Sequence, residues 1–221
     1  MTAERGTLFY DLSGITARIL IALFSKFELQ GVERMPSTGP VILAANHLSI
    51  VDPVILGAVL PRPAVFMAKQ ELFSHPGMAW VLKSYGSFSV QRGSADREAI
   101  RKAFSVLERG RTLGLFPEGT RSRSGYLGEP HAGVGLLALR TGAPVVPIGI
   151  TGSDQVSPQK ILSRRPSVLV RVGAPIPSPR ITGALRGAAQ EHTELVMRAI
   201  AELLPEDQRG RFAAESALVD S

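Results

Sequence analysis

Residues 41–53 read VILAANHLSIVDP, and this stretch sets the expectation for the rest of the chain. The run from Val41 to Ala45 is apolar throughout, which predicts a strand. Asp52 and Pro53 predict the start of a helix, because proline is tolerated in the first helical turn and pushes the preceding residue out of α geometry. The stretch therefore reads as a strand, a polar turn that contains His47, and a helix.

The same alternation continues past residue 30. Apolar runs predict strands near 41–45, 64–68, 87–90, 112–116, 144–150 and 167–172. Helical patterns lie near 53–60, 76–84, 95–109, 132–141 and 183–204. Alternating strands and helices imply parallel pairing through right-handed crossovers. We predict an α/β fold with a largely parallel central sheet flanked by helices and with an N-terminal amphipathic helical segment.

The N-terminal segment carries an apolar stripe at helical spacing. Its members are Leu8, Leu12, Ile15, Ile19, Leu23 and Phe27. The stripe fits two readings, a helix packed on its own domain or an amphipathic helix lying in a bilayer surface. The most apolar stretch, residues 15–24, is ten residues long and contains Arg18, so we expect no transmembrane helix. The segment also lacks the pattern of a secretory signal.

Charge and composition narrow the partners of the chain. Lys and Arg outnumber Asp and Glu by 25 to 19, giving a net charge of +6, which fits lipid headgroups, phosphate substrates, acidic carrier proteins or nucleic acid. The absence of Cys excludes disulfides and Cys-ligated metals. We expect no metal, since the His/Asp/Glu grouping of a zinc site is absent. We also expect no nucleic acid partner, because no nucleic-acid-binding motif is present.

His47 and Asp52 stand five positions apart directly after the first strand. A neutral imidazole can take a proton from an alcohol, and a carboxylate can hold its tautomer and stabilise the imidazolium that forms. A structural alternative is that Asp52 only caps the following helix, as its spacing from Ser49 suggests. A carboxylate has two oxygens, so both roles are compatible.

Polar residues follow several predicted strands at their carboxyl ends, where ligands bind in open parallel sheets. They are Asn46 and His47, then Lys69, then Arg92, and then Glu118, Gly119, Thr120 and Arg121. Glycine exposes backbone N–H groups and arginine offers a planar fork of donors, a combination that suits a phosphate monoester. We therefore predict that this edge of the sheet holds a base beside an anion-binding site.

These residues carry a family resemblance. Asn46-His47 with Asp52, followed by the block FPEGTRS at 116–122, resembles the signature of the lysophosphatidic acid acyltransferase family, part of the glycerolipid acyltransferase superfamily. The stretches 69–92 and 145–150 resemble two further motifs of that family. One departure is that His131 stands where many relatives have a lysine.

The resemblance implies a reaction and roles. A fatty acyl group would pass from acyl-CoA or acyl-ACP to the hydroxyl of 1-acyl-glycerol 3-phosphate, giving phosphatidic acid without a further cofactor. His47 would be the general base and Asp52 would orient it. The acceptor would be held by Asn46, Lys69, Arg92, Glu118, Gly119, Thr120 and Arg121. Glu118 would hydrogen-bond a glycerol hydroxyl or order its own loop.

The resemblance also implies an organisation and a location. Residues 1–27 would form a membrane-interface helix, 28–204 the acyltransferase domain and 205–221 a weakly ordered tail. The enzyme would be peripheral on the cytoplasmic face of a membrane with anionic lipids. Alternatives left open are glycerol 3-phosphate or another lysophospholipid as acceptor, hydrolysis of the thioester, and a non-catalytic membrane-surface module.

Overall fold

The computed structural model describes residues 8–74, 76, 79, 82, 87–90, 97–156 and 165–213. Its strands are β1 (Lys26–Gln30), β2 (Val41–Ala45), β3 (Ala64–Lys69), β4 (Phe88–Val90), β5 (Thr112–Leu115), β6 (Val145–Thr151) and β7 (Ser167–Val172). Its longer helices are α1 (Leu8–Phe24), α2 (Asp52–Val59), α3 (Arg97–Glu108), α4 (Gly133–Thr141) and α5 (Arg186–Glu202).

The described strands form one sheet in the order β1-β7-β6-β2-β5-β3-β4. Every neighbouring pair is parallel except β6 and β7, which are antiparallel. The predicted α/β fold with a largely parallel central sheet is therefore confirmed. β2 lies in the interior of the sheet between β6 and β5, so the turn that follows it is flanked by the ends of two parallel neighbours.

Both faces of β2 are buried, which explains its unbroken apolar sequence. Leu43 packs in a cluster with Ile55 and Leu56 of α2, on one face of the sheet. Ile42 packs in a second cluster with residues of α4 and α5, including Met197, on the other face. Helices thus cover the sheet on both sides, and the strand can leave the core only at its ends.

The reversal of β7 decides where α1 lies. Because β7 runs antiparallel to β6, its first residue, Ser167, lies toward the edge at which β2 and β6 end. Lys26 of β1 pairs with Ser167 in parallel register, so β1 also starts at that edge. The C-terminal end of α1 and the turn after β2 therefore lie on the same side of the sheet.

The N-terminal segment differs from its sequence prediction at its boundaries. The helix ends at Phe24, and the chain then enters β1, a strand that the helical pattern did not predict. Phe27, assigned to the apolar stripe of the helix, lies in β1 instead. Residues 1–7 lie outside the described residues, and the predicted helix near 76–84 lies largely outside them.

The apolar stripe of α1 faces solvent where its side chains are described. Ile15, Ile19 and Leu23 are 46%, 54% and 59% exposed, whereas Ile21 packs toward the sheet. The domain therefore leaves this part of the stripe, from Ile15 to Leu23, uncovered. Among the described residues, no helix combines the length and hydropathy needed to cross a bilayer.

The C-terminal segment is better packed than the sequence predicts over part of its length. Residues 205–213, assigned to a weakly ordered tail, form two short 3-10 turns at Glu206–Gln208 and Gly210–Phe212. Phe212 is 2% exposed and joins the core. Residues 214–221 lie outside the described part of the chain.

Candidate active site

His47 and Asp52 form a hydrogen-bonded pair at the carboxyl end of β2. The distance between His47 Nδ1 and Asp52 Oδ2 is 2.8 Å. A carboxylate accepts hydrogen bonds, so this contact places the proton of a neutral imidazole on Nδ1 and leaves Nε2 as an acceptor. The His47 side chain is 12% exposed and that of Asp52 is 0% exposed, so the pair lies in a largely desolvated position.

Asp52 is held by the turn that it terminates. Besides the imidazole, its Oδ2 accepts hydrogen bonds from the backbone N–H groups of Leu48 and Ser49, both at 2.8 Å. The carboxylate therefore caps the turn and orients His47 with one oxygen. Among the described residues, the buried Oδ1 has no hydrogen-bond partner. The predicted cap of the following helix is not formed, because Val51 is the N-cap residue of α2 and no side chain caps it; the carboxylate binds the turn before the helix instead.

Aromatic stacking fixes the plane of the imidazole. The rings of His47 and Phe116 are stacked with centroids 4.0 Å apart and an interplanar angle of 18°. Phe116 in turn stacks on Phe66, at 5.9 Å. Gly114 makes this arrangement possible, since a Cβ there would lie 2.2 Å from the Phe66 ring. This contact with His47 was not predicted, because Phe116 was considered only as part of the FPEGTRS block. The signal for the contact is the position of an aromatic residue at the end of β5, the strand next to β2.

Glu118 joins the loop after β5 to the turn that carries His47. Its Oε1 accepts a hydrogen bond from the backbone N–H of His47 at 3.0 Å, and its Oε2 accepts one from Gly128 at 2.9 Å. The side chain is buried, and desolvation raises the pKa of its carboxyl above the ordinary value, while the bonds from Gly128 and His47 act in the opposite direction. Both oxygens thus bind backbone groups, in keeping with the loop-ordering alternative.

Asn46 uses its side-chain amide within the sheet. Its Nδ2 donates to the carbonyl of Ile150 at 2.8 Å, and its Oδ1 accepts from the N–H of Ile150 at 2.7 Å. β2 ends one residue earlier, so this amide continues the pairing with β6 by one more step. Asn46 is 2% exposed. Its position therefore anchors the backbone immediately before His47, and its amide groups are directed at β6.

Two of the residues predicted to bind an anion, Thr120 and Arg121, line one pocket. A cavity of about 420 Å³ is lined by Thr120, Arg121 and Arg123, with Glu118 and Glu129 also in its wall. Arg121 and Arg123 are exposed and offer guanidinium donors to a planar or tetrahedral anion. Arg123 was not predicted; its signal is the second arginine of the run that follows Thr120.

This pocket adjoins His47. The backbone N–H of Ser122 donates to the carbonyl of His47 at 2.7 Å, so the loop that carries Arg121 and Arg123 and the turn after β2 are directly bonded. Gly119 adopts a φ of 65° at the tight turn after Pro117, a conformation that favours glycine. His47 and two of the residues predicted to bind phosphate, Thr120 and Arg121, are thus brought together by the fold.

The remaining predicted residues are less fully placed. Lys69 is the last residue of β3, at the same edge of the sheet, and its side chain is not among those described. Arg92 lies outside the described residues. His131 is exposed, donates its backbone N–H to Pro117 and places its ring beside Gly119, where a Cβ would lie 2.8 Å from its Cδ2 atom.

Comparisons with known proteins place the chain in a family. A family described as Acyltransferase matches residues 26–151, which include β1 to β6 and every residue of the site discussed above. The chain belongs to this acyltransferase family. The relationship inferred from the HxxxxD and FPEGTR blocks is thereby confirmed.

Individual relatives narrow the class. The chain is 31% identical over 157 residues to a chloroplastic 1-acyl-sn-glycerol-3-phosphate acyltransferase of Brassica napus, covering 70% of this chain and 45% of the relative. It is 34% identical over 136 residues to a lyso-ornithine lipid O-acyltransferase of Pseudomonas aeruginosa, covering 61% and 51%. The chain thus spans about half the length of these curated relatives.

A solved structure extends the likeness to the whole fold. The crystal structure of the 1-acyl-sn-glycerophosphate acyltransferase PlsC from Thermotoga maritima matches with a TM-score of 0.69 at 27% identity. The match covers 88% of this chain and 79% of that chain. The arrangement of sheet and helices described above is therefore that of a known acyltransferase.

Proposed function

We propose that this protein transfers a fatty acyl group from a thioester of coenzyme A or acyl carrier protein to the free hydroxyl of 1-acyl-glycerol 3-phosphate, giving phosphatidic acid. The observation that carries the proposal is the 2.8 Å contact between His47 and Asp52 beside an arginine-lined pocket. The names of the Brassica and Thermotoga relatives support the same acceptor.

The histidine supplies the base. Nε2 of His47 takes the proton of the acceptor hydroxyl as its oxygen attacks the thioester carbonyl carbon. The C–O bond forms, the C–S bond breaks, and the departing sulfur receives the proton from the imidazolium. Asp52 holds Nδ1–H throughout and stabilises the positive ring in its desolvated position. Such base catalysis contributes about 10²–10⁴-fold to the rate.

The loop after β5 supplies the acceptor site. Arg121 and Arg123 bind the phosphate of the lysolipid, with Thr120 as a further donor and Gly119 allowing close approach of the backbone. Lys69 and Arg92 are proposed as additional cations at the same edge. Glu118 and Asn46 support the acceptor site indirectly by holding the backbone around it, Glu118 at His47 and Asn46 at β6.

The apolar face of α1 seats the enzyme on a bilayer. Ile19 and Leu23 of α1 are exposed, as are Ile50 and Val54 beside the catalytic turn. α1 ends on the side of the sheet that carries His47, so a membrane met by this face would present lipid acceptors to the base. We propose a peripheral attachment to the cytoplasmic face, where acyl thioesters are available, aided by the net charge of +6 on anionic lipid.

Purified protein tests the reaction directly. It should be given acyl-CoA or acyl-ACP with 1-acyl-glycerol 3-phosphate, and the esterified product and free fatty acid should be measured separately. We expect phosphatidic acid to form and His47→Ala to lower kcat about 10²–10⁴-fold while unfolding cooperatively like the wild type. Undiminished acyl transfer by His47→Ala would refute the assignment of His47 as the general base.

A panel of acceptors defines the specificity. Glycerol 3-phosphate and lyso-ornithine lipid should each be compared with the lysophosphatidate as acceptors. Lyso-ornithine lipid is included because the Pseudomonas relative is named for it. We expect the lysophosphatidate to have the highest kcat/KM, since a phosphate monoester matches the arginine pair. Faster transfer to lyso-ornithine lipid would reassign the acceptor. Fatty acid release without ester formation would indicate a thioesterase instead.

A further inference from the structure

A second pocket lies at the C-terminal end of α1, away from the residues of the proposed active site. It has a volume of about 540 Å³ and is enclosed by the last turns of α1, by β1 and by the end of α2. Its apolar wall includes Ile21, Phe27 and Val59. Its charged rim consists of Arg18, Lys26 and Arg165, and no acidic side chain lines it among the described residues. We name this cavity the basal pocket.

The basal pocket and the active site share one edge of the sheet but not one cavity. β1 is three places from β2 in the strand order, which corresponds to about 14 Å at the usual spacing of strands. Lys26 nevertheless lies at the carboxyl edge, because it pairs with the first residue of the reversed strand β7. The Lys26 end of the basal pocket therefore lies at the edge of the sheet that carries His47.

The walls of the basal pocket are held by hydrogen bonds. Arg165 Nη2 donates to the carbonyl of Ala22 and, at 3.1 Å, to that of Ser25. The hydroxyl of Ser25 donates to the carbonyl of Ile21 at 2.6 Å. The carbonyl groups at the end of α1, which would repel an anion, thus already accept donors from within the protein. The rim retains the positive charge of its arginines and lysine.

The composition of the basal pocket matches an amphiphile with an anionic head. The exposed side chains Ile19 and Leu23 lie on the adjoining turns of α1. In the membrane attachment proposed for α1, these two side chains enter the acyl region of the bilayer. Arg18 on α1 and Lys26 at the start of β1 then lie at the depth of the lipid phosphates. An acyl chain can contact Ile21, Phe27 and Val59 while its phosphate meets the charged rim.

We propose that the basal pocket binds one anionic phospholipid of the bilayer, which is not the substrate, and that this lipid fixes α1 against the domain. The proposal rests on the membrane attachment of α1 proposed above. Its recognition chemistry is a phosphate diester with negative net charge on Arg18, Lys26 and Arg165, together with the upper part of one acyl chain.

Soluble short-chain lipids test this binding. Dioctanoyl phosphatidylglycerol, below its micelle concentration, should be titrated into the protein by calorimetry and by native mass spectrometry. Dioctanoyl phosphatidylcholine and inorganic phosphate serve as comparison ligands. We expect phosphatidylglycerol to bind at a single site. Phosphatidylcholine should bind at least about tenfold more weakly, and inorganic phosphate alone should not bind. Equal binding of the two lipids, or tight binding of phosphate alone, would overturn the proposal.

Matched variants locate the site. The double variant Arg18→Gln with Lys26→Gln should weaken the phosphatidylglycerol affinity about 25-fold, which is about fivefold for each cation. The control Arg140→Gln with Arg186→Gln removes two exposed charges from α4 and α5 and should leave the affinity unchanged. Val59→Trp fills the pocket without a change in charge and should abolish the one-to-one complex. If the control variant lost as much affinity for phosphatidylglycerol, the effect would be explained by net charge alone, and the basal pocket would be refuted as the binding site.

The outcome is separable from the proposed reaction. His47→Ala removes the proposed base but touches no residue of the basal pocket, so it should bind phosphatidylglycerol as the wild type does. Loss of acyl transfer with intact lipid binding tests the reaction alone. Absence of phosphatidylglycerol binding in a protein that transfers acyl groups refutes the basal pocket alone.

Discussion

The carboxylate of Glu118 accepts the backbone N–H of His47 at 3.0 Å, although the two residues are 71 positions apart. The second oxygen of Glu118 accepts the N–H of Gly128. One buried side chain therefore joins the turn that carries His47 to the loop that carries Arg121 and Arg123. Its removal should affect both the stability of the fold and the geometry of the site.

Glu118→Gln should destabilise the protein and lower kcat. An amide has one acceptor oxygen, so one of the two backbone N–H groups loses its partner, at a cost of about 1–3 kcal/mol. Chemical denaturation and steady-state kinetics measure the two effects. The exposed Glu191→Gln is the control and should change the free energy of unfolding by no more than about 0.5 kcal/mol. Equal effects of both variants would contradict a positioning role for Glu118.

The effect of Glu118→Gln should depend on pH. Burial raises the pKa of Glu118 above its ordinary value of 4.5. A carboxyl with a higher pKa in the folded state stabilises the fold fully below the unfolded value, and this contribution is lost as pH rises through the folded pKa. The difference in unfolding free energy between wild type and variant should therefore shrink as pH rises from 4.5. A difference that grows over this range would contradict the assignment.

Asp52→Asn should lower kcat about 10²–10⁴-fold. The side chain keeps its shape, and an amide oxygen at the position of Oδ2 still accepts the hydrogen bonds from His47 Nδ1 and from the N–H groups of Leu48 and Ser49. The neutral amide, however, no longer stabilises the positive charge that the imidazole gains when it takes a proton. Measurement of kcat for acyl transfer tests this expectation, with the exposed Asp207→Asn as the control. Unchanged kcat in Asp52→Asn would leave Asp52 with a capping role only.

Arg121→Gln should raise KM for the phosphate-bearing acceptor more than it lowers kcat. A charge-assisted hydrogen bond to phosphate contributes about 1.5–3 kcal/mol, which corresponds to about 10–100-fold in affinity. Initial-rate kinetics over a range of lysophosphatidate concentrations provide the measurement. Arg140→Gln on α4 removes an equivalent exposed charge away from the pocket and should leave KM unchanged. A loss confined to kcat would exclude Arg121 from ground-state binding of the phosphate.

Gly114→Ala should destabilise the protein by about 1–3 kcal/mol through overpacking. The new Cβ would lie 2.2 Å from the ring of Phe66, which stacks on Phe116 and thereby supports the imidazole of His47. Gly187→Ala in α5, where nothing lies within 4 Å of the added Cβ, should instead stabilise by about 0.5–1 kcal/mol. Chemical denaturation distinguishes the two, and a neutral Gly114→Ala would refute the packing argument.

The double variant Ile19→Asp with Leu23→Asp should weaken binding to anionic vesicles about tenfold or more. Both side chains are largely exposed, so the change removes apolar contact with lipid and adds negative charge while leaving the core intact. Vesicle sedimentation measures the binding. Leu195→Asp, on an equally exposed position of α5, is the control. Comparable losses in the control would argue against a membrane role for α1.

Several features of the site followed from local sequence. An apolar run before Asn46-His47 predicted β2, and Asp52-Pro53 predicted the start of α2; these elements hold His47 and Asp52 within a short turn. The strand ends placed Thr120 and Arg121 at the same edge. Such inferences succeed because a strand, a turn and a helix start depend on neighbours only a few residues away.

Other features depended on partners far along the chain. Asn46 and Glu118 were assigned to the substrate, but their hydrogen bonds go to Ile150, 104 positions away, and to His47 and Gly128. β1 was missed because its five residues alternate too briefly to be distinguished from the end of a helix, and its pairing partner is β7. No local pattern reports these contacts.

The sequence by itself determined the strand, turn and helix from β2 to α2, the proximity of His47 and Asp52 and the positive charge that follows β5, since each follows from short-range geometry or composition. Only the tertiary structure decided which polar side chains bind the backbone, that Phe116 stacks on the imidazole, and that the described part of α1 exposes its apolar stripe at the edge of the sheet that carries His47. The physical reason is that hydrogen bonds, ring contacts and burial depend on which distant segments the folded sheet brings together.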